Sequence, residues 1–251
     1  MSQSETPVID IKALRRSCAT CSLTQLCLPA TIGTEDMARL DDIVKRRSRV
    51  ARGGRLYRQG DRLEVLFAAL GGAFKTTAIS PEGDEQVIGF HLPGELIGLD
   101  GIGSGRFQCD AVALEDAEVC EVPFERLESL AAQIPGLQRQ LLRIIGRGMD
   151  RDQSHLEMLG RKQAGERVAL FLHSLSERYR ILGQRDDQFS LPMAREEIAS
   201  YLGMVIETVS RTLTRLRDDG LIAVRGRQVR ILDPGRLREI AHGAEALRDR
   251  A

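Results

Sequence analysis

The fold is decided by residues 193–220, MAREEIASYLGMVIETVSRTLTRLRDDG, which predict two helices with a sharp break between them. A helix-turn-helix needs a small residue where its helices cross, a turn position that tolerates glycine, and an apolar residue on the second helix facing the first. Ala199, Gly203 and Val209 meet these needs at the right spacing. Residues 221–232, LIAVRGRQVRIL, predict a following hairpin. Together these stretches predict a winged helix-turn-helix.

The second helix, expected to begin near Val205, carries candidate base-reading residues for the major groove of double-stranded DNA. Glu207 can accept from cytosine N4, Arg211 can donate twice to guanine, and Ser210 can reach a base edge or a phosphate. Glu207 and Arg211 also suit an ion pair on a solvated face, and both roles can hold together. A winged helix used only for protein contact is the alternative. Phosphate contacts are expected from Thr208, Thr212, Thr214, Arg215, Arg225 and Arg227.

Residues 136–162 lack proline and predict one long helix upstream. Six positions on it alternate in steps of three and four, which indicates either a coiled-coil seam between two copies or packing against the N-terminal domain. Asp152 favours the coiled-coil seam. In a parallel homodimer its carboxylate would face the same carboxylate of the other copy and weaken the dimer, as suits a protein whose dimerisation must be switchable. The seam positions are Leu142, Ile145, Met149, Asp152, Leu156 and Leu159.

Glycine marks the N-terminal half. Of the 24 glycines, 12 fall between Val50 and Phe107, separating short apolar and β-branched stretches. Glycine supplies the positive φ of tight turns, so this pattern predicts many short antiparallel strands in a barrel or sandwich. The fold class is therefore α+β: an antiparallel β-roll, a long helix and a C-terminal winged helix-turn-helix.

The spacing of the five cysteines predicts a second kind of site. Cys18, Cys21 and Cys27 form C-x2-C-x5-C, and Cys109 and Cys120 lie far downstream. The N-terminus lacks the basic and apolar regions of a secretory signal, so we expect a reducing cytoplasm and metal ligands in place of disulfides. A cubane iron–sulfur cluster needs four thiolates, often three close and one remote. Zinc, with one C-x-x-C in place of the usual two, and incidental cysteines remain open at this point.

The formal net charge of zero hides an uneven distribution of 36 basic and 36 acidic residues. Residues 1–60 have a net charge of +5, residues 61–160 of −9, residues 161–230 of +4 and residues 231–251 of zero. The basic excess of 161–230 coincides with the predicted DNA-reading module, although an acidic domain beside a basic one has the same profile. The apolar stretches are too short to cross a membrane.

The order of these blocks resembles the fumarate and nitrate reduction regulator (FNR) group of the cyclic-AMP receptor superfamily. The resemblance covers nearly the whole chain and is strongest in CATCSLTQLC (18–27), GDEQVIGFHLPGELIGLDGIGSG (83–105), EVCEVPFERL (118–127) and YLGMVIETVSRTLTRLRDDGLIAVRG (201–226). It implies a [4Fe–4S] cluster, and it gives Cys109 no counterpart, so that cysteine is interpreted as incidental or a substitute ligand. The implied cluster ligands are Cys18, Cys21, Cys27 and Cys120.

The resemblance also implies a two-fold TTGAT-type DNA site read by Glu207, Ser210 and Arg211, with Ile206 standing where the family has valine. It matches Asp152 to a seam aspartate and residues 76–86 to a surface that contacts RNA polymerase. A cyclic-nucleotide sensor is an alternative, because PGELIGLDG (93–101) matches half of such a site. However, Arg106 is followed by Phe107, where that site has a hydroxyl residue.

These observations predict a transcriptional regulator and no enzyme, since no catalytic motif is present. Without oxygen, the cluster should favour a homodimer that activates anaerobic genes, and in oxygen repulsion at the seam should restore the monomer. A zinc-stabilised regulator without oxygen sensing is a further alternative. The expected divisions are a cysteine-rich segment at 1–29, the sensor roll at 30–130, the dimerisation helix at 135–160 and the DNA-binding domain at 161–251.

Overall fold

The computed structural model of the chain describes residues 18–44, 46–80 and 83–243. Within these ranges the N-terminal part is a roll of two four-stranded antiparallel sheets, ordered β1-β8-β3-β6 and β2-β7-β4-β5, which share one hydrophobic core. The predicted roll is therefore confirmed. The strands are β1 (Arg46–Val50), β2 (Arg55–Tyr57), β3 (Val65–Gly71), β4 (Phe74–Ile79), β5 (Glu85–His91), β6 (Leu96–Ile97), β7 (Asp110–Ala113) and β8 (Ala117–Pro123).

Glycine has the predicted role at the turns of the roll. Gly98, just after β6, has a φ of +100°, which L-residues with a side chain rarely adopt. A Cβ there would lie 2.9 Å from the ring of Phe107, so glycine also permits the close packing of that ring.

Two helices of the N-terminal part were not predicted from the glycine pattern. They are α1 (Thr34–Ile43) and α2 (Phe124–Gln133), and each buries one face against the roll. Leu40 and Ile43 are the buried residues of α1, and Leu127 is fully buried on α2. Helix α1 follows the cysteine segment and helps to cover it.

The predicted long helix is α3 (Pro135–Arg161), 27 residues long. Its buried residues lie toward the chain's own two cores, and the C-terminal one, Met158, belongs to the core of the DNA-binding part. The other buried positions are Leu137, Gln140 and Ile144. None of the helices in the described ranges has the length and apolar character that a bilayer span requires.

The C-terminal part is the predicted winged helix-turn-helix, so the α+β class is confirmed as a whole. Gly203 ends the first helix of the motif with a φ of +61°, and Val209 on the second is fully buried. The hairpin strands pair Arg225 with Gln228 at their turn. The elements are α4 (Ala164–Ile181), β9 (Gln188–Ser190), α5 (Arg195–Leu202), α6 (Ile206–Asp218), β10 (Ile222–Arg225), β11 (Gln228–Ile231) and α7 (Pro234–Ala241).

Candidate functional site

The three clustered cysteines lie on a tightly turned segment ahead of α1. The backbone N–H of Cys18 donates to the Asp41 carboxylate at 2.7 Å, which ties the start of the segment to α1. The Thr24 hydroxyl oxygen lies 2.6 Å from the carbonyl oxygens of both Cys18 and Cys21, and the Cys27 N–H donates to the Leu23 carbonyl at 3.0 Å. The segment is thus ordered by its own polar groups.

The fourth predicted cysteine reaches the same place from the roll. Cys120 lies on β8, between β1 and β3, and is 6% exposed. Its side chain and those of Cys18, Cys21 and Cys27 all line one apolar cavity between the segment and the roll. The apolar lining includes Leu23, Leu28, Leu40, Val44, Ala68 and Val122.

Burial raises the pKa of three of these four thiols. It raises the pKa of Cys27 to about 12 and that of Cys120 to about 11, although Arg47 beside Cys120 favours its thiolate. Burial, aided by the Asp41 carboxylate, also raises the pKa of Cys18. Each of these thiols also feels the charge of at least one other cysteine in the cavity. The apolar cavity therefore keeps these three thiols protonated at neutral pH.

The cavity offers a donor set of four cysteine thiols. Four cysteines from two parts of the chain around one apolar cavity match the thiolate ligation of a cubane iron–sulfur cluster. However, no group of three or more Cys, His, Asp or Glu side chains that could hold a metal ion occurs among the described residues. The residues present fit the cluster in number and chemistry, and binding would draw the thiols together and release their protons.

Cys109 lies apart from that cavity. It is fully buried within the roll, and its thiol donates to the Asp100 carboxylate at 3.2 Å. The Tyr57 hydroxyl donates to the other oxygen of the same carboxylate at 3.2 Å. The structure therefore does not bring Cys109 to the other four cysteines.

In the roll, Arg106 and Phe107 stand where the cyclic-nucleotide alternative expects a phosphate-binding pair. Arg106 donates from its Nη1 to the Gly60 carbonyl at 2.7 Å. Phe107, in the position where a cyclic-nucleotide site has a hydroxyl residue, is buried and stacks on Tyr57 with ring centroids 3.6 Å apart. The Phe107 side chain therefore fills part of the hydrophobic core of the roll.

The predicted base-reading residues lie together on the outer face of α6. Glu207, Ser210 and Arg211 are all exposed. Among the predicted phosphate contacts, Thr214 and Arg225 are also exposed, together with Arg215 and Arg227. The prediction for Thr212 is wrong: it is 5% exposed and faces the core, because it shares the helix face of Val209 and Leu216.

The predicted seam lies on the outer face of α3. Leu142, Met149 and Leu156, seven residues apart, are 63%, 58% and 69% exposed. Asp152 is exposed between them, and partial burial raises the pKa of its carboxyl. Ile145 is half-buried. Leu159 differs from the rest, because it packs against the chain's own C-terminal core next to Gly203.

A charged junction that sequence reasoning missed joins the roll, α3 and α4. The Glu95 carboxylate pairs with Arg151 of α3 at 2.9 Å and with Arg178 of α4 at 2.8 Å. Arg178 also donates to the Phe90 carbonyl at 2.7 Å. Because Arg178 is 83 residues from Glu95, nothing local in the sequence indicates this pairing.

A second contact holds the first helix of the motif against the roll. The N–H of Val87 on β5 donates to the Ser200 hydroxyl of α5 at 2.9 Å, and Gln86 donates to the Ser200 carbonyl. Lys75 on β4 pairs with Glu197 at 3.2 Å. In the described arrangement, the DNA-binding part therefore packs directly on the roll.

Comparison with known proteins agrees with this architecture. Residues 47–134 match the model of the cyclic nucleotide-binding domain, and residues 166–240 match that of the Crp-like helix-turn-helix domain. The transcriptional activator protein Anr of Pseudomonas protegens is 48% identical over 90% of this chain and 93% of its own. The fumarate and nitrate reduction regulatory protein of Escherichia coli K12 is 39% identical over 89% of this chain and 90% of its own.

Among solved structures, FixK2 from Bradyrhizobium japonicum superposes with a TM-score of 0.71 at 30% identity, over 81% of this chain and 98% of that one. A winged helix-turn-helix joined by a long helix to a nucleotide-binding type of roll defines a class of transcriptional regulators. The chain belongs to the FNR-type regulators of the Crp/FNR family.

Proposed function

We propose that this chain is an oxygen-responsive transcriptional activator of anaerobic genes, which acts in the cytoplasm as a homodimer on double-stranded DNA. In this proposal the cysteine-rich segment is 1–29, the sensor roll 30–130, the dimerisation helix 135–160 and the DNA-binding domain 161–251. Without oxygen, a [4Fe–4S] cluster is held by Cys18, Cys21, Cys27 and Cys120.

One observation carries the proposal. Three cysteines of the segment and a fourth on β8, at least 93 positions downstream, line the same apolar cavity, whereas the remaining cysteine is buried elsewhere. When bound, the cluster would supply four iron–thiolate bonds between segment and strand, together with oxygen-labile iron–sulfur chemistry. Leu23, Leu28 and Val122 line the cavity and limit the access of water.

The DNA-binding role rests on the outer face of α6. Glu207, Ser210 and Arg211 project from a helix that resembles the recognition helix of the family, and we propose that they read a two-fold TTGAT-type site. Exposed arginines of the hairpin, Arg225 and Arg227, would hold the flanking phosphates. Reading both half-sites requires two copies of the chain.

Dimerisation is proposed along α3. The exposed leucines and methionine of the seam form an apolar stripe that a second copy would cover. Asp152 lies within that stripe, so two copies bring two carboxylates together and destabilise the dimer. Iron–thiolate bonds between the cysteine segment and the roll would fix the packing beside α3. This would offset the repulsion between the two Asp152 carboxylates.

RNA polymerase is the proposed protein partner. Residues 76–86 span the end of β4 and the start of β5, and Ile79 is an exposed apolar residue there, while Pro81 and Glu82 lie outside the described residues. Gln86 instead contacts the chain's own α5. One relative is named a transcriptional activator, which supports the proposal that this chain activates transcription.

The test compares two matched cysteine variants. Anaerobically purified wild type should contain about four irons per chain. Cys120→Ala should abolish iron binding, because it removes the ligand on β8, whereas Cys109→Ala should retain it, because that thiol lies outside the cavity. A colourless wild type with one zinc, or the reverse order of the two variants, would contradict the proposal.

A further inference from the structure

The cysteine segment contacts α3 directly, through a buried polar side chain. Gln140 lies on the inner face of α3 and is 2% exposed. Its Nε2 donates to the backbone carbonyl of Cys27 at 3.0 Å. The third cysteine of the cluster motif is therefore hydrogen-bonded, through its own main chain, to the helix that carries the proposed dimer seam.

The same side chain reaches toward the seam on its other side. The Arg143 Nη1 donates to the Gln140 Oε1 at 3.1 Å. Arg143 is exposed and adjoins Leu142, the first exposed apolar residue of the seam. Gln140 thus has one partner in the cysteine segment and one at the edge of the dimer surface.

A second tie holds the chain just after the cysteine segment against the helix. The Thr31 hydroxyl donates to the Gly136 carbonyl at 2.8 Å. A Cβ at Gly136 would lie 2.5 Å from the Thr31 carbonyl oxygen, so the chain at Thr31 crosses the first turn of α3 with no room for a side chain. A displacement of Cys27 relative to α3 therefore disturbs the bond from Gln140, while Thr31 holds the chain that follows against the first turn of the helix.

From this geometry we infer that Gln140 is a positioning residue, which transmits the state of the cysteine segment to the dimer seam. The inference rests on the proposed function, because the state that it transmits is the presence or loss of the cluster. Without the donor of Gln140, the thiols would still reach the cavity, but the position of Cys27 would no longer be passed to α3. Cluster binding and dimerisation would then be uncoupled.

The experiment uses Gln140→Met, which keeps the length of the side chain and its suitability for a helix but can neither donate to Cys27 nor accept from Arg143 as Gln140 does. The control is Gln184→Met, at an exposed glutamine that follows α4 and does not lie on α3. Iron content and the dimer Kd are measured for each full-length protein, anaerobically and after air, with thermal unfolding of the metal-free form. If Gln140→Met fails to fold, Gln140→Glu replaces it, because a carboxylate keeps the Arg143 contact and loses the donor to Cys27.

Wild type and control should bind iron and dimerise more tightly without oxygen. Gln140→Met should bind the same iron but lose at least about tenfold of that tightening, the equivalent of one buried hydrogen bond. If Gln140→Met binds as much iron as the wild type and its dimer tightens equally without oxygen, this inference is overturned and the proposed function is not. Lower iron in the variant also overturns it, since Gln140 would then act in holding the cluster. A wild type without iron overturns the proposed function, and this inference with it.

Discussion

Truncation of Leu156 isolates the contribution of the seam. Leu156→Ala removes three carbon atoms, each worth about 0.8 kcal/mol when fully buried. Leu156 is 69% exposed in the single chain. A symmetric dimer would therefore lose about 1.7 kcal/mol per copy, or about 3 kcal/mol in all. The dimer Kd should rise roughly 100-fold, while the free energy of unfolding of the monomer should change by less than about 0.5 kcal/mol.

The assay is sedimentation velocity over a concentration series of the anaerobic, iron-loaded protein, together with denaturant unfolding of the dilute monomer in air. Ile181→Ala is the matched control, because Ile181 is 57% exposed on α4, away from the seam. It should leave both quantities unchanged. An unchanged dimer Kd in Leu156→Ala, or a loss of monomer stability above about 2 kcal/mol, would refute the assignment of this face to the dimer.

Three further predictions concern charge. Asp152→Ala should give dimers in air, and a variant that sediments as a monomer would show that Asp152 repulsion does not control assembly. Burial lowers the pKa of His91 to about 4, against the opposing Glu95 carboxylate. The unfolded chain therefore takes up the proton first, and stability should fall as the pH drops from about 6.5 toward 4. The free energy of unfolding of His91→Gln should fall less over this pH range than that of the wild type. Identical pH profiles for the two proteins would contradict the assignment of this pH dependence to His91. Arg225→Ala should weaken DNA binding uniformly across sequences and reduce the slope of log K against log salt by about two, one for each copy in the dimer; an unchanged slope would remove Arg225 from the phosphate contacts.

The helix-turn-helix was predictable because its signals are local. Gly203 adopts the left-handed conformation that the turn requires, and Val209 is buried against the first helix. The error at Thr212 has a local cause too. It came from residue type, whereas helical periodicity places Thr212 on the buried face with Val209 and Leu216.

The fourth cysteine could not be chosen from spacing. Both Cys109 and Cys120 are buried, and β8 is buried on both faces around Val119 and Cys120, so the alternation of a strand does not separate an inward from an outward side. Only the resemblance selected Cys120. The cavity distinguishes the two residues because it depends on how the segment, α1 and the roll pack in three dimensions.

Long-range polar contacts were out of reach of sequence patterns. The Glu95 and Arg178 pair links the roll to α4 across 83 residues. Gln140 left a weak signal, because a polar residue interrupts the apolar face that holds Leu137 and Ile144. Such an interruption indicates a buried partner, but it does not identify the carbonyl of Cys27 as that partner.

The most direct test of an oxygen-responsive regulator follows one anaerobic sample through a change of atmosphere. Its iron content and its affinity for a two-fold TTGAT-type duplex are measured before and after air, at fixed salt, with a scrambled duplex as the reference. Specific binding should be strong with about four irons per chain and should fall to the level of the scrambled duplex as the iron is lost. Equal specific affinity in both atmospheres, with or without iron, would contradict oxygen control.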